Sequence, residues 1–274
     1  MHTIRPITLL VFALFAAEFT VRAQTCHAAA FYDVDRLYDT LPSPFGGDER
    51  YLPQGEKRWT ADRYRRKVAQ TAEVLDSLAL PLVAVYGVEN EAVVRDVAAA
   101  CETDYAYVFR TTDSYDGLDF ALLYYGDLFF PDRTEAGHFW MSVAGELRGV
   151  GRVCLLMSAS DRYIYYKIDE QRRLHPQERL LVLGRTAGVE AARYGLTEPL
   201  CAARRAGRGT RRSGGKWIMR SNILIDTAFR VSHADIYARR RFFDRSGEAP
   251  WATYTGNRYD GGYGANLPVF CYFR

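Results

Sequence analysis

The chain has 274 residues, 48% of them hydrophobic and 14% aromatic, so it can bury a substantial core as one large domain or two small ones. Its formal charge of +3 is close to balance, and nothing in the composition calls for a nucleic acid or an acidic membrane as partner.

The N-terminus has the three-part layout of a secretory signal. Met1 to Arg5 carries positive charge, Ile7 to Ala17 is apolar, and Val21-Arg22-Ala23 offers small residues before Gln24. Residues 1–23 are expected to be removed, leaving 24–274 as one exported domain at the cell surface, in a periplasm or outside the cell. The apolar run is too short to span a bilayer comfortably as an anchor. Ala23-Gln24-Thr25 is a poor approach to lipid attachment at Cys26.

Strands and helices then alternate. Phe31 to Leu37 reads as a short strand. Thr60 can cap a helix from Ala61 to Leu78, with Tyr64, Val68, Thr71, Leu75 and Leu78 on one face. "LPLVAVYGV" (80–88) is almost wholly apolar, as a strand buried on both faces would be. A second helix is expected over Glu91 to Cys101, with Val94, Val97, Ala98 and Cys101 inward. Strands follow at 105–110, 119–125, 138–145 and 152–159. A helical piece around Tyr163 to Arg173 leads into "RLLVLG" (179–184), and strands at 218–226 and 267–273 close the chain. In this reading His138 opens a strand, His175 precedes a proline and His233 lies in a turn.

Two basic stretches read as loops: "CAARRAGRGTRRSGGK" (201–216), and "YARRRFFDR" (237–245) with aromatics interleaved. The five cysteines, Cys26, Cys101, Cys154, Cys201 and Cys271, form no Cys-x-x-Cys pair, so neither a zinc site nor a redox motif is expected. Export would permit disulfides, and the odd count leaves at least one thiol over. Cys154 and Cys271 fit as small buried groups in apolar strands.

Several segments together resemble the endonuclease/exonuclease/phosphatase family, in its exported bacterial branch. They are "FYDVDRLYDT", "KRWTADRYRRKVAQTAEVL", "LVAVYGVEN", "DGLDFALLYY", "GTRRSGGKWIMRSNILID" and "YTGNRYDGGYGANLPVF", in the family's order from about Phe31 to Phe270. The resemblance implies a four-layer α/β/β/α sandwich of two stacked mixed sheets, with a cleft where strand ends of both sheets meet. It also implies metal-dependent, usually magnesium-dependent, cleavage of phosphate esters. That chemistry needs carboxylates on the metal, an Asp-Asn pair to orient water and substrate, and histidines for the transition state.

The motifs depart from the family pattern where they would act. Asp33 stands in place of the first asparagine, and Gly87 in place of the metal glutamate of the Gln-Glu-Val-Glu-Asn run. "CLLMSAS" (154–160) carries no histidine. Gly184-Arg185-Thr186-Ala187-Gly188 replaces Gly-Asp-Phe-Asn-Asp, Trp217 to Ser221 lacks the aspartate of its run, and Gly264-Ala265-Asn266-Leu267-Pro268-Val269 replaces Ser-Asp-His-Leu-Pro-Val. Neighbouring scaffold residues (Asn90, Gly117, Gly184, Trp217, Leu267, Pro268) persist. Losing two carboxylates and adding Arg185 disfavours a divalent cation in a low-dielectric cleft.

These departures lead to the expectation of a non-catalytic exported protein with no cofactor. The old cleft would bind an anionic ligand (a phosphate, a nucleotide or an acidic glycan) through Asp33, Glu89, Arg185 and Asn266. Two other readings stand beside it. One is a magnesium-dependent phosphodiesterase or nuclease with a rearranged site, using the remaining Asp33, Asp35, Glu89, Asp116 and Asp119. The other is a surface-interaction module whose cleft is irrelevant. In the first reading Arg185 either meets a ligand or pairs internally with Asp33 or Glu89.

Overall fold

A computed structural model describes residues 27–274; the signal reading and Cys26 lie outside the described residues. The first half contains β1 (His27–Leu37), α1 (Ala61–Leu78), β2 (Leu82–Val88), α2 (Glu91–Ala100), β3 (Ala106–Arg110) and β4 (Asp119–Tyr124). Next come β5 (Phe129–Gly137), β6 (Trp140–Leu147), β7 (Gly151–Ser158), α3 (Ile164–Leu174), β8 (Arg179–Gly184), β9 (Leu196–Thr197) and α4 (Cys201–Arg205). The last part holds the hairpin β10 (Arg211–Ser213) and β11 (Lys216–Ile218), then β12 (Asn222–Asp226) and β13 (Val231–Ile236). The hairpin β14 (Tyr254–Thr255) and β15 (Arg258–Tyr259) precedes β16 (Val269–Phe273).

The strands build two six-stranded sheets, ordered β13-β16-β1-β2-β4-β3 and β5-β6-β7-β8-β12-β9. Each contains one parallel pair, β1–β2 and β7–β8, and α1 and α3 are the crossovers that such pairs require. The period-2 alternation of the second sheet shows how the layers stack. Leu181 and Leu183 of β8, Leu155 and Met157 of β7, and Ile223 and Ile225 of β12 join the large core between the sheets. Their neighbours Leu180, Val182, Leu156 and Leu224 point the other way, onto Ile164 and Ile168 of α3. Both faces are covered, which is why these segments read as unbroken apolar runs. On the far side α1 contributes Val68 and Leu75, and α2 contributes Val93, Val94 and Val97. The result is the expected α/β/β/α sandwich. Val83, Val182 and Val269, on strands inside their sheets, are fully buried.

Local signals set the helix starts. The Thr60 hydroxyl accepts from the Arg63 amide at 3.5 Å, and the Asn90 side chain accepts from the Val93 amide at 3.0 Å. Five sequence expectations need correction. Residues 129–137 form a strand, β5, that was not expected. His138 lies in the turn between β5 and β6 rather than opening a strand, and His233 lies on β13 rather than in a turn. The expected strand 218–226 divides into β11 and β12. The basic stretch 201–216 is ordered, as α4 and the β10–β11 hairpin. No described helix is long and apolar enough to cross a membrane.

Candidate functional site: a cationic cleft at the strand ends

The sheet registers bring the departed motifs to one mouth. Asp33 of β1 lies opposite Tyr86 of β2, Phe31 opposite Val269 at the start of β16, and Gly184 at the end of β8 opposite Asn222 at the start of β12. Ser158, at the end of β7, is the parallel partner of Gly184. C-terminal ends of β1, β2, β7 and β8 therefore meet N-terminal ends of β12 and β16.

The chain bends sharply here. The β1–β2 register breaks between Asp33 and Leu37, and Asp35 and Arg36 both take positive φ, at 59° and 67°. Non-glycine residues in this region carry strain of order 1–2 kcal/mol each. Gly87 faces the bend at φ 96°, and a Cβ there would stand 3.4 Å from the Arg36 amide nitrogen. The glycine in the metal glutamate's place thus serves a backbone conformation that side chains disfavour.

Arg185 leaves β8 with its amide donating to the Ser158 carbonyl at 2.8 Å. Its guanidinium lies 5.7 Å from the centroid of the Tyr86 ring and 3.9 Å from an Asp33 carboxylate oxygen. That distance is a long Coulombic contact. Burial and the neighbouring Asp35 push the Asp33 carboxyl above its ordinary range, opposed by Arg185. Asp33 spends one oxygen on the Asp35 amide at 3.1 Å, and Asp35 accepts from the Ala265 amide at 3.0 Å, tying the β1 bend to the loop before β16.

Two basic residues join the site that motif comparison did not single out. Arg220 precedes β12, and its guanidinium is driven below its usual range first by burial and then by Arg185 beside it, while Asp33 holds it up and Arg211 adds further repulsion. Arg185 and Arg220 thus share the neighbourhood of Asp33 and Asp35, with Arg211 beside Arg220. Lys67 on α1 is 1% exposed; its ammonium donates to the Thr253 hydroxyl at 2.9 Å and to the Tyr263 carbonyl. Burial lowers it to about 8, against the pull of Asp35 and Asp33. The available signal for Lys67 was its helical register with Thr71, Val74 and Leu78, all buried. Arg220 carried none, because its nearness to Arg185 comes from sheet pairing.

Around these charges lie buried polar groups with no hydrogen-bond partner among the described residues. They are Arg220 Nε, Thr186 Oγ1, Ser221 Oγ, and both Nδ2 and Oδ1 of Asn266. Hydrogen bonds place them together. The Leu267 amide donates to the Thr210 carbonyl at 2.8 Å, and the Thr210 hydroxyl accepts from the Arg220 and Ser221 amides at 3.0 and 3.2 Å. The β8–β12 register, continued by one residue, sets Ser221 across from Arg185. Unsatisfied buried donors cost about 1–3 kcal/mol each, so a cluster of them needs a reason.

Glu89 and Asp119 are engaged elsewhere, whereas Asp116 keeps a buried Oδ1 with no hydrogen-bond partner among the described residues and acts on the same Tyr86 ring as Asp33 and Arg185. Glu89 accepts from the Asp39 amide at 2.7 Å, and burial raises it to about 7. Asp119 accepts from the amide and hydroxyl of Thr112 at 2.6 and 2.8 Å and is raised by burial to about 6. Of the expected ligand residues, Asp33, Arg185 and Asn266 are brought together, while Glu89 is tied to the loop after β1. Among the described residues no group of three or more His, Cys, Asp or Glu side chains is set to hold a metal ion.

This architecture is the fold of the endonuclease/exonuclease/phosphatase family. Residues 28–152, somewhat under half of the chain, match the model of the Endonuclease/Exonuclease/phosphatase family, so the likeness read from the motifs is shown by sequence over that segment and by fold over the described chain. The solved structures it resembles include a humanised D. rerio TDP2 carrying 14 mutations, at 10% identity and TM-score 0.59, covering 91% of this chain and 99% of that one. An endonuclease/exonuclease/phosphatase family protein of Bacteroides thetaiotaomicron follows, at 11% identity, TM-score 0.56 and 91% and 97% coverage. A mannosyl-6-phosphatase of the same organism matches at 10% identity, TM-score 0.55 and 90% and 99% coverage. None of the curated proteins matches the sequence.

Proposed function

We propose that this chain is a phosphoesterase-fold protein that no longer hydrolyses through a metal and instead holds a small anion in the cleft. The observation that carries this reading is the pairing of Arg185 and Arg220 with the unpartnered buried groups of Thr186, Ser221 and Asn266. Arg185 stands close enough to Arg220 to disfavour its charge, which attracts a counter-ion, and Asp33, 3.9 Å from Arg185, offsets the two only in part. Guanidinium forks bind phosphate or carboxylate without a metal, and the hydroxyls and amide supply further donors to a tetrahedral or planar oxyanion.

Magnesium does not suit this donor set. The ion takes several oxygen ligands with excess negative charge, whereas the cleft presents a glycine at the ligand position and sets Arg185 and Arg220 beside Asp33. The protein acts as an exported binding protein, a reading supported by the signal-like N-terminus.

The test is a titration of the protein with inorganic phosphate, a nucleotide and a single acidic monosaccharide, beside Arg185→Ala. Saturable binding that weakens with salt and is lost in the variant supports the reading. If Arg185 only closes the pocket by pairing with Asp33, the variant loses stability and the wild type binds none of the three. A phosphodiesterase assay with magnesium or manganese runs alongside; turnover abolished by a chelator overturns the proposal in favour of a rearranged hydrolase.

A further inference from the structure

The two basic stretches of the sequence also meet beside the cleft, which only Arg211 of the first is seen to approach. A groove of about 780 Å³ is lined by Arg212 of the β10–β11 hairpin, by Arg241 and Arg245 of the second basic stretch, and by Trp251, Arg258 and Tyr259. Ala265 forms its edge, so the groove opens next to the cleft but is built from other side chains. We propose that this groove is a second binding site, for an acidic oligosaccharide whose carboxylates are spaced along a hydroxyl-rich chain.

The lining favours that chemistry over other polyanions. Four guanidiniums are more than its own carboxylates neutralise, since only Asp244 and Asp260 share the wall. Arg258 pairs with Asp260 at 2.7 Å and Arg241 with Glu73 of α1 at 2.9 Å, which holds these forks in place. Arg245 is exposed at the rim. The two aspartates matter as much as the arginines. A DNA backbone carries a charge on every unit and no hydroxyl donors between them, so the carboxylates in the wall only repel it. An acidic glycan places ring hydroxyl donors against Asp244 and Asp260 and its carboxylates against the arginines.

The half-buried rings of Trp251 and Tyr259 suit the same ligand, because an aromatic face packs on the C–H face of a sugar ring. Their mounting is rigid. The Trp251 amide donates to the Phe242 carbonyl at 2.8 Å, its indole N–H donates to the Asp260 carbonyl at 3.2 Å, and Tyr259 is fixed in the β14–β15 hairpin. Arg66 and Arg63 of α1 lie 5.9 and 4.2 Å from the Trp251 and Tyr259 ring centroids. The groove therefore combines ordered aromatic and charged walls in a volume suited to a small ligand.

The experiment titrates the full chain with a short oligogalacturonate, its fully methyl-esterified form, and a single-stranded oligonucleotide of equal charge, followed by tryptophan fluorescence and calorimetry. The oligogalacturonate is expected to bind saturably, about tenfold more tightly than the ester or the oligonucleotide, and more weakly as salt rises. The double variant Arg245→Ala, Arg258→Ala should lose at least about tenfold in affinity at an unchanged Tm. Arg185→Ala should leave it intact, which separates this groove from the anion proposed for the cleft. No saturable binding of the oligogalacturonate, equal binding of its neutral ester, tighter binding of the oligonucleotide, or undiminished binding by the double variant would each overturn the proposal. The ester comparison needs no variant and stands even where the double variant fails to fold.

Discussion

The inner layers of the sandwich and its mouth follow opposite rules. Within β2, β7, β8 and β12 the side chains are buried, those of β7, β8 and β12 alternate between two cores, and Val83, Leu155, Leu181 and Ile223 are all fully buried. A few residues further along the same strands, Asp35, Arg36 and Gly87 take positive φ, and Asn266, Ser221, Thr186 and Arg220 keep buried polar atoms unpartnered. The difference teaches where stability is spent: the apolar layers supply enough of it to hold a strained, polar, like-charged cluster at their edge.

The largest expected effect lies in the layers. Leu183→Ala opens a cavity between the two sheets, where Leu183 is fully buried. It should destabilise the protein by about 2–5 kcal/mol, read as a lower denaturant midpoint at unchanged slope. A loss well under 1 kcal/mol would mean that the sheet interface is not the tight layer described here.

At the mouth the sign reverses. Burial raises Glu89 from 4.5 to about 7, so the unfolded chain loses this proton first as pH rises. Folding stability is therefore whole below about pH 4.5, falls through the window up to about 7, and stays reduced above it. Glu89→Gln removes the titration while keeping an acceptor for the Asp39 amide. The variant should gain about 1–3 kcal/mol over wild type at pH 8 and little at pH 4. A pH-independent difference between the two proteins would break this half of the comparison.

Gly87→Ala sharpens it. The new Cβ meets only ordinary contacts, the nearest at 3.4 Å, so the cost is conformational: about 1–2 kcal/mol for an alanine at φ 96°. Gly87→Glu bears at least the same cost, so restoring the metal glutamate alone should destabilise the chain. Equal stability of the alanine variant would show that β2 relaxes freely there. The smallest effect belongs to the exposed start of α1. Thr60→Ala removes a long 3.5 Å cap and should cost about 0.5–1 kcal/mol by thermal denaturation. A greater loss than that of Leu183→Ala would contradict the ranking.

Much of the fold was legible, and the omissions share a cause. The helix from Ala61 to about Leu78 was legible, because Thr60 and a 3.6-residue apolar period mark it. The strands read at 80–88 and 179–184, observed at 82–88 and 179–184, were legible from continuous apolar runs, as two-sided burial produces. The longest missed strands, β5 and β13, are edge strands: Phe129–Gly137 carries Pro131, Asp132, Arg133 and Glu135, and Val231–Ile236 carries Ser232, His233 and Asp235. With one neighbour and partial exposure, an edge strand needs no apolar alternation, and pairing with β6 or β16 decides its conformation.

The order of elements, the identity of the inner strands and the substitution of Gly87, Arg185, Ala265 and Asn266 at strand ends are properties of the sequence by itself. They depend on periodicity and position along the chain, which are local. The meeting of Arg185 with Arg220 and Arg211, the burial of Lys67 beneath Asp33 and Asp35, and the gathering of Arg212, Arg245 and Arg258 around Trp251 were decided by tertiary structure alone. Charge acts through space and falls off with distance, and it is sheet register and hairpin geometry that bring side chains far apart in sequence within reach of one another.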